Sequence, residues 1–167
     1  MLEALITSKT RLRMLIKFFI SSSNKGYLNG LANEFNESTN SIRKELNNLT
    51  TSGYLLKKRK NNKIIYKANK VHPMFNVLQK IVRQHLGIEE IVETIISRIG
   101  DISKVVLIGD YAKGLDSGCI DIVILGDKIN KNYLENLRLK IIEKIERDIN
   151  FELNIDIPKK NIILFQK

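Results

Sequence analysis

Cysteine is nearly missing from this chain: Cys119 is the one thiol in 167 residues. That excludes an intramolecular disulfide framework and any site built from several thiolates, so no bound zinc is expected. Long apolar runs are missing as well. The apolar stretches break off at a charge after a few residues, which leaves no secretory hydrophobic region and no membrane span; the expected location is the cytoplasm, with no membrane partner. Acidic residues are scarce in one half only. Residues 1–87 carry 16 Lys and Arg against 4 Asp and Glu, a net of +12, whereas residues 88–167 carry 12 against 14, a net of −2. A half with so little negative charge calls for a polyanionic partner, and the other half does not.

At 43% hydrophobic the chain has the apolar content for real cores and none of the composition of disorder. The charge division predicts two domains with different tasks, residues 1–72 and 88–167, joined by a linker helix over residues 73–87. Apolar residues at helical spacing predict a first helix over residues 2–21, frayed before Thr10 and ended by the run SSSNKG. A short second helix, LNGLANEF over residues 28–35, places Leu28, Leu31, Ala32 and Phe35 on one side. After a brief turn comes the stretch STNSIRKELNNLTTSG, residues 38–53. With Ile42 at zero on a wheel of roughly 100° per residue, Leu46 and Leu49 fall within about 40° of it, while Asn40, Lys44, Asn47 and Thr51 fall opposite. Ser38 is a suitable N-cap, and Gly53 stands where a helix commonly stops in the left-handed region. The outer face carries amides and cations in place of the Glu–Lys ladder of a solvated helix, and such side chains reach base edges and phosphates. Beyond Gly53, YLLKKRK and KIIYKAN flank Asn61-Asn62 and predict a hairpin with a basic tip.

In that order, the first seventy residues resemble the winged helix-turn-helix regulators of the ArsR/MarR type. The resemblance implies double-stranded DNA as partner, a homodimer, and DNA contacts from Thr39, Asn40, Ser41, Arg43, Lys44 and Asn47 on the recognition helix and Lys57, Lys58, Arg59, Lys60 and Lys63 on the wing. The paired-cysteine motif of the metal-sensing branch has no counterpart here. Two further helices are predicted over residues 74–85 and 88–99, with Leu78, Ile81, Val82 and Leu86 as the core face of the first and Ile91, Val92, Ile95, Ile96 and Ile99 as that of the second. His72 and His85 are expected at the surface or in caps.

The second half reads as a small α/β unit: strands over residues 104–110, 119–127 and 151–158, with a helix over residues 132–148. Gly109-Asp110-Tyr111-Ala112-Lys113-Gly114 followed by Cys119-Ile120-Asp121-Ile122 resembles the signature of the minimal nucleotidyltransferases of the polymerase-beta superfamily. That signature has a Gly-Ser turn cradling the nucleotide phosphates, two metal-binding aspartates two residues apart on a strand, and a third carboxylate from a later strand. The chain departs from it. Cys119 stands in place of the first aspartate, and a thiolate is a poor ligand for a hard ion such as Mg²⁺. Asp110 replaces the turn serine, where it is expected to cap the following short helix and occupy the amides a phosphate would use. Eight residues separate Asp110 from Cys119, a shorter loop than the family's pattern. Glu152 and Asp156 are the candidates for the third carboxylate. Gly109, Asp110, Lys113, Cys119 and Asp121 then form a vestigial nucleotide site with no catalytic residue, no metal and no cofactor. The competing readings are a rewired metal site of Asp110, Asp116 and Asp121, and a coincidental match within a generic α/β domain.

The expected fold is α+β: a winged helix-turn-helix followed by a nucleotidyltransferase-like domain. The expected function is transcriptional regulation, with an inactive second domain used for sensing, dimerisation, or binding of a nucleotide or protein. The alternatives are an active nucleotidyltransferase tethered to DNA and an antitoxin-like partner-binding protein.

Overall fold

Ser8 decides where the first long helix begins. In the computed structural model, which describes residues 2–167, Ser8 is extended and its side chain accepts from the Arg11 amide, so α1 spans Lys9–Phe19. The cap satisfies one of the amides that a helix start leaves unpaired. The helix expected from residue 2 is thus reduced at its start to a single 3-10 turn, Leu2–Ala4. Two helices follow, α2 over Leu28–Phe35 and α3 over Thr39–Thr51. Asn36 makes the corner between them in the left-handed region at φ 51, a conformation Asn tolerates through its short polar side chain. Ser38 caps α3 by accepting from the Ser41 amide, and α3 buries Ile42, Leu46 and Leu49 where it packs on α1 and α2.

Three ion pairs lace these helices together: Arg11–Glu45 at 2.9 Å, Arg13–Glu37 at 2.6 Å and Lys17–Glu34 at 2.7 Å. They engage three of the four carboxylates in the basic half. These three carboxylates are therefore taken up by α1 and not by the cations of α3 or of the following hairpin.

The hairpin consists of β2, Leu55–Lys60, and β3, Lys63–Ala68. Asn61 and Asn62 both have positive φ, 46° and 60°, the pair of left-handed residues that a two-residue turn matched to strand twist requires. A strand not anticipated from the sequence, β1 over Lys25–Gly26, pairs with β3 to give the order β1-β3-β2. Two residues are too few to display a period. Next come α4, Phe75–His85, and α5, Ile88–Arg98, separated by Gly87 at φ 71. Phe75, Val82 and Leu86 are buried, as are Ile88, Ile91, Ile95 and Ile99. Ile81 and Ile96, expected on the core faces, are each 37% exposed, and His85, expected at the surface or in a cap, is the 7% exposed last residue of α4. His72 lies in the turn before α4, its Nδ1 accepting from the Met74 amide at 3.1 Å.

The chain divides into two compact units between Val82 and Arg83. The second holds a sheet in the order β6-β5-β4-β7, made of β4 Asp101–Ile108, β5 Cys119–Asp127, β6 Asp148–Leu153 and β7 Ile162–Gln166. β5 pairs antiparallel with β4 and parallel with β6. The parallel connection runs through α7, Lys131–Ile145, as parallel neighbours need a crossover. Gly109 and Asp110 belong to a one-turn helix, α6 Gly109–Ala112, and not to the end of β4. The last predicted strand is displaced: β6 starts at Asp148 and stops at Leu153, because Asn154 turns at φ 52 and its amide group closes onto Gly126. The alternation over residues 154–158 forms no strand, and β7 lies beyond it. Ile120, Ile122 and Ile124 are buried on one face of β5, while Val123 on the other clusters with Val106, Ile108 and Ile157. The whole is α+β with two sheets. No helix among the described residues is long and apolar enough to cross a membrane.

Candidate functional site

Two places gather the singled-out residues, one in each unit. In the first, the core contacts of Ile42, Leu46 and Leu49 turn the rest of α3 outward, and Thr39, Asn40, Ser41, Arg43, Lys44 and Asn47 are all exposed. Asn40 Oδ1 accepts from Arg43 at 3.0 Å, which sets the amide beside the guanidinium. Ser41 is partly committed to the helix start, its hydroxyl 3.0 Å from that of Ser38.

The hairpin cations are also exposed, but the register divides them. Lys57 and Arg59 lie opposite Tyr66 and Ile64, whereas Lys58 and Lys60 lie opposite Ile65 and Lys63. Since successive strand residues face opposite sides and paired residues share one, Lys57 and Arg59 share the face of buried Leu55 and Tyr66, while Lys58 and Lys60 share the other with Lys63, next to the turn. Between α3 and the hairpin runs a groove of ≈ 370 Å³ lined by Arg43, Asn47, Lys57, Asn62 and Lys63 together with Tyr27 and Asn29. The structure thus brings Arg43, Asn47, Lys57 and Lys63 together and leaves Thr39, Asn40, Ser41, Lys44, Lys58, Arg59 and Lys60 outside the groove lining. Tyr27 and Asn29 went unnoticed in the sequence because their place follows from the β1–β3 pairing. Tyr27 carries the Lys63 ammonium 4.3 Å above its ring centroid.

In the second unit, Gly109 has φ +67 and no room for a side chain: a Cβ there would collide with the Asp121 carboxylate. The glycine turn and Asp121 are therefore adjacent. What surrounds Asp121 is another matter. Its Oδ1 accepts from Asn150 Nδ2 at 3.0 Å, and the same amide lies 3.2 Å from Cys119 Sγ. The Cys119 thiol itself points at Asp121, 3.9 Å away. Burial, and after it the charges of Asp121 and Asp148, push this thiol up, so it faces the carboxylate as a proton donor and not as an anion. On β6, Asn150 is paired with Asp121 and Glu152 with Val123; an amide, not Glu152 or Asp156, flanks Asp121 from the neighbouring strand. The expectation that Asp110 caps α6 is corrected. The N-cap is Ile108, with no side-chain cap bond, and the Asp110 carboxylate instead lies 3.4 Å from Lys113, because it sits one residue inside the turn.

The rewired metal site of Asp110, Asp116 and Asp121 is also corrected. Asp116 is engaged elsewhere: Arg147 Nη2 reaches its Oδ2 at 2.8 Å, Arg147 Nε reaches Oδ1 at 3.0 Å, and the Tyr111 hydroxyl donates to it. The described residues contain no group of three or more His, Cys, Asp or Glu side chains placed to hold a metal ion. Burial alone would raise the Asp116 carboxyl, but the hydrogen bonds from Arg147 and Tyr111 outweigh it and hold it below its ordinary value. Burial and the donation to Asp116 push the Tyr111 hydroxyl well up. The Gly118 amide also donates to the Tyr111 oxygen at 3.2 Å, so the triad staples the loop between α6 and β5. No local signal could have revealed it, since Arg147 lies 31 residues from Asp116.

No family model matches the chain, and no curated protein matches it. Among solved structures, the crystal structure of the AntR antimony-specific transcriptional repressor is similar to this chain at a TM-score of 0.41 and 20% identity, covering 56% of this chain and 78% of that one.

Proposed function

We propose that the chain is a DNA-binding transcriptional regulator whose first domain, residues 1–72, is a winged helix-turn-helix, with a helix over residues 73–87 leading to a nucleotidyltransferase-like second domain, residues 88–167. The observation that carries this reading is the α3–hairpin surface: exposed amides and cations beside a groove with no carboxylate in its lining, in a unit whose acid is drawn inward to α1. Unmet positive charge on a rigid helix and hairpin is what a phosphate backbone neutralises, releasing counterions, while Asn40, Lys44 and Asn47 have the chemistry to read base edges. The test is a titration of purified protein against duplex DNA over a salt series, followed by selection from a randomised duplex pool. A steep loss of affinity with salt and an enriched motif are expected; binding insensitive to salt, or no binding at all, overturns the reading. A homodimer would place two α3 helices on half-sites about one helical turn apart.

We assign the second domain a role in sensing, dimerisation or partner binding, with no nucleotidyl transfer. The support is the company of Asp121: a protonated thiol and an amide where two carboxylates would have to hold ions against a transferring phosphoryl group. Incubation with labelled nucleoside triphosphates, Mg²⁺ or Mn²⁺ and cell extract tests it. No labelled product is expected, and product that disappears in Asp121→Ala would show an active enzyme.

A further inference from the structure

The hairpin cations are not equivalent, and the groove beside α3 separates them. Arg43, Leu46 and Asn47 line it from α3; on a helical wheel they stand roughly 40–140° from Ile42, on the flank of the helix, whereas Asn40 and Lys44 stand roughly 160–200° from it, straight outward. The outward residues are placed for base edges, Asn47 stands between them and the flank, and Arg43 and Leu46 are set back. Lys57 and Lys63 close the groove from the hairpin, and no carboxylate lines it. Three like charges around one groove repel each other unless an anion lies between them. Lys63 is further held by Tyr27, its Nζ 4.3 Å over the ring. Tyr27 in turn lies against the backbone of α2, where Gly30 makes room: a Cβ on Gly30 would stand 2.8 Å from Tyr27 Cε1.

We propose, on the regulator reading above, that one strand's sugar-phosphate backbone runs through this groove against Arg43, Lys57 and Lys63, and that Tyr27 is the positioning residue that keeps Lys63 over it. Lys58 and Lys60 stand outside the groove lining and make no contact to that strand. A cation stacked on an aromatic face keeps its remaining N–H donors free for phosphate while its side chain is restrained. Tyr27 thus acts through Lys63 and touches no base.

The experiment measures duplex DNA affinity of the full chain by fluorescence anisotropy over a salt series, for wild type, K57Q/K63Q, K58Q/K60Q, K63Q, Y27L and Y27F. Each lost phosphate contact lowers the slope of log affinity against log salt by about 0.9. K57Q/K63Q is expected to flatten the slope by about two such steps, and K58Q/K60Q to flatten it by less. Y27L is expected to lose the same single step as K63Q, with no further loss when the two are combined, and Y27F to retain the wild-type slope because the ring face is kept. Thermal melts identify any variant that fails to fold; the exposed K63Q and the conservative Y27F still decide the question if Y27L does. Wild type that binds duplex DNA with a slope insensitive to K57Q/K63Q, or equally sensitive to K58Q/K60Q, overturns the groove assignment alone. Wild type that does not bind duplex DNA overturns the regulator reading and the groove assignment with it.

Discussion

The two units treat charge in opposite ways. On α3 and the hairpin, Arg43, Lys44, Lys57 and Lys63 stand without a carboxylate partner among the described residues, and Glu34, Glu37 and Glu45 are engaged by α1. Around β5, the acid is met from within: Asn150 and Cys119 donate to Asp121, and Arg147 and Tyr111 to Asp116. A surface kept for a partner leaves its charge unmet until the partner arrives, whereas a site whose polar groups are mutually satisfied has less to offer a ligand, since binding must first break those bonds. Basicity alone is not the distinction. Lys113 and Arg138 in the second unit have carboxylate partners, Asp110 and Asp148 at 3.4 Å and 3.3 Å.

The largest effect that breaks this comparison is structural. Leu46 is 1% exposed, and Leu46→Ala is expected to cost about 2–5 kcal/mol by opening a cavity beneath α3; urea unfolding measures it, and DNA binding should fall along with stability. Next is the staple. Arg147→Met leaves Asp116 and Tyr111 without their guanidinium, an expected loss of about 1–3 kcal/mol, read by thermal melting, with DNA affinity unaffected because the lesion lies in the other unit. The pH dependence follows from the same cluster. Asp116 is lowered in the folded protein, so its contribution is present above its unfolded value of about 3.9 and is lost as pH falls below that. Tyr111 is raised, so its contribution is present below about 10 and is lost as pH rises beyond it. Tyr111→Phe should remove the alkaline loss and leave the acid one reduced but present, which stability measured from pH 3 to pH 11 checks.

Smaller and more specific effects sharpen the comparison. Asn40→Ala and Asn47→Ala should each relax discrimination at particular base pairs by about 1–3 kcal/mol with little change in stability, shown by selection from a randomised duplex pool; an unchanged motif in both moves the reading surface off α3. The smallest effect is expected from Asp121→Ala, which should leave duplex affinity at the wild-type value. Cys119→Asp on its own should confer no nucleotidyl transfer, because Asn150 still flanks Asp121 where a further carboxylate is needed.

The elements with local punctuation were legible. α2, α3 and the hairpin follow from residues whose meaning is short-range: the Ser38 hydroxyl at a helix start, Asn36 and Gly53 in the left-handed region, and Asn61-Asn62 at a two-residue turn. Where punctuation and periodicity disagree, the periodicity misled. The fraying expected before Thr10 ends in a full stop at the Ser8 cap, and the alternation in FELNIDIP suggested strand that Asn154 ends. In the second unit the Gly109 turn lies beside Asp121 because β4 pairs with β5, and the Asp110 cap was not legible: one residue's shift along α6 turned a supposed cap into a partner of Lys113.

By itself the sequence determined what neighbours along the chain can settle: helix faces, caps, turns, and the excess of positive charge in the first half. Tertiary structure alone decided which charges remain unmet and which are satisfied. Glu45 meets Arg11 across 34 residues, Asn150 meets Asp121 across 29, and Tyr27 meets Lys63 only once β1 has paired with β3. Electrostatics and hydrogen bonding act through space over a few ångströms, and no local pattern in the chain encodes which distant residues will come within that range.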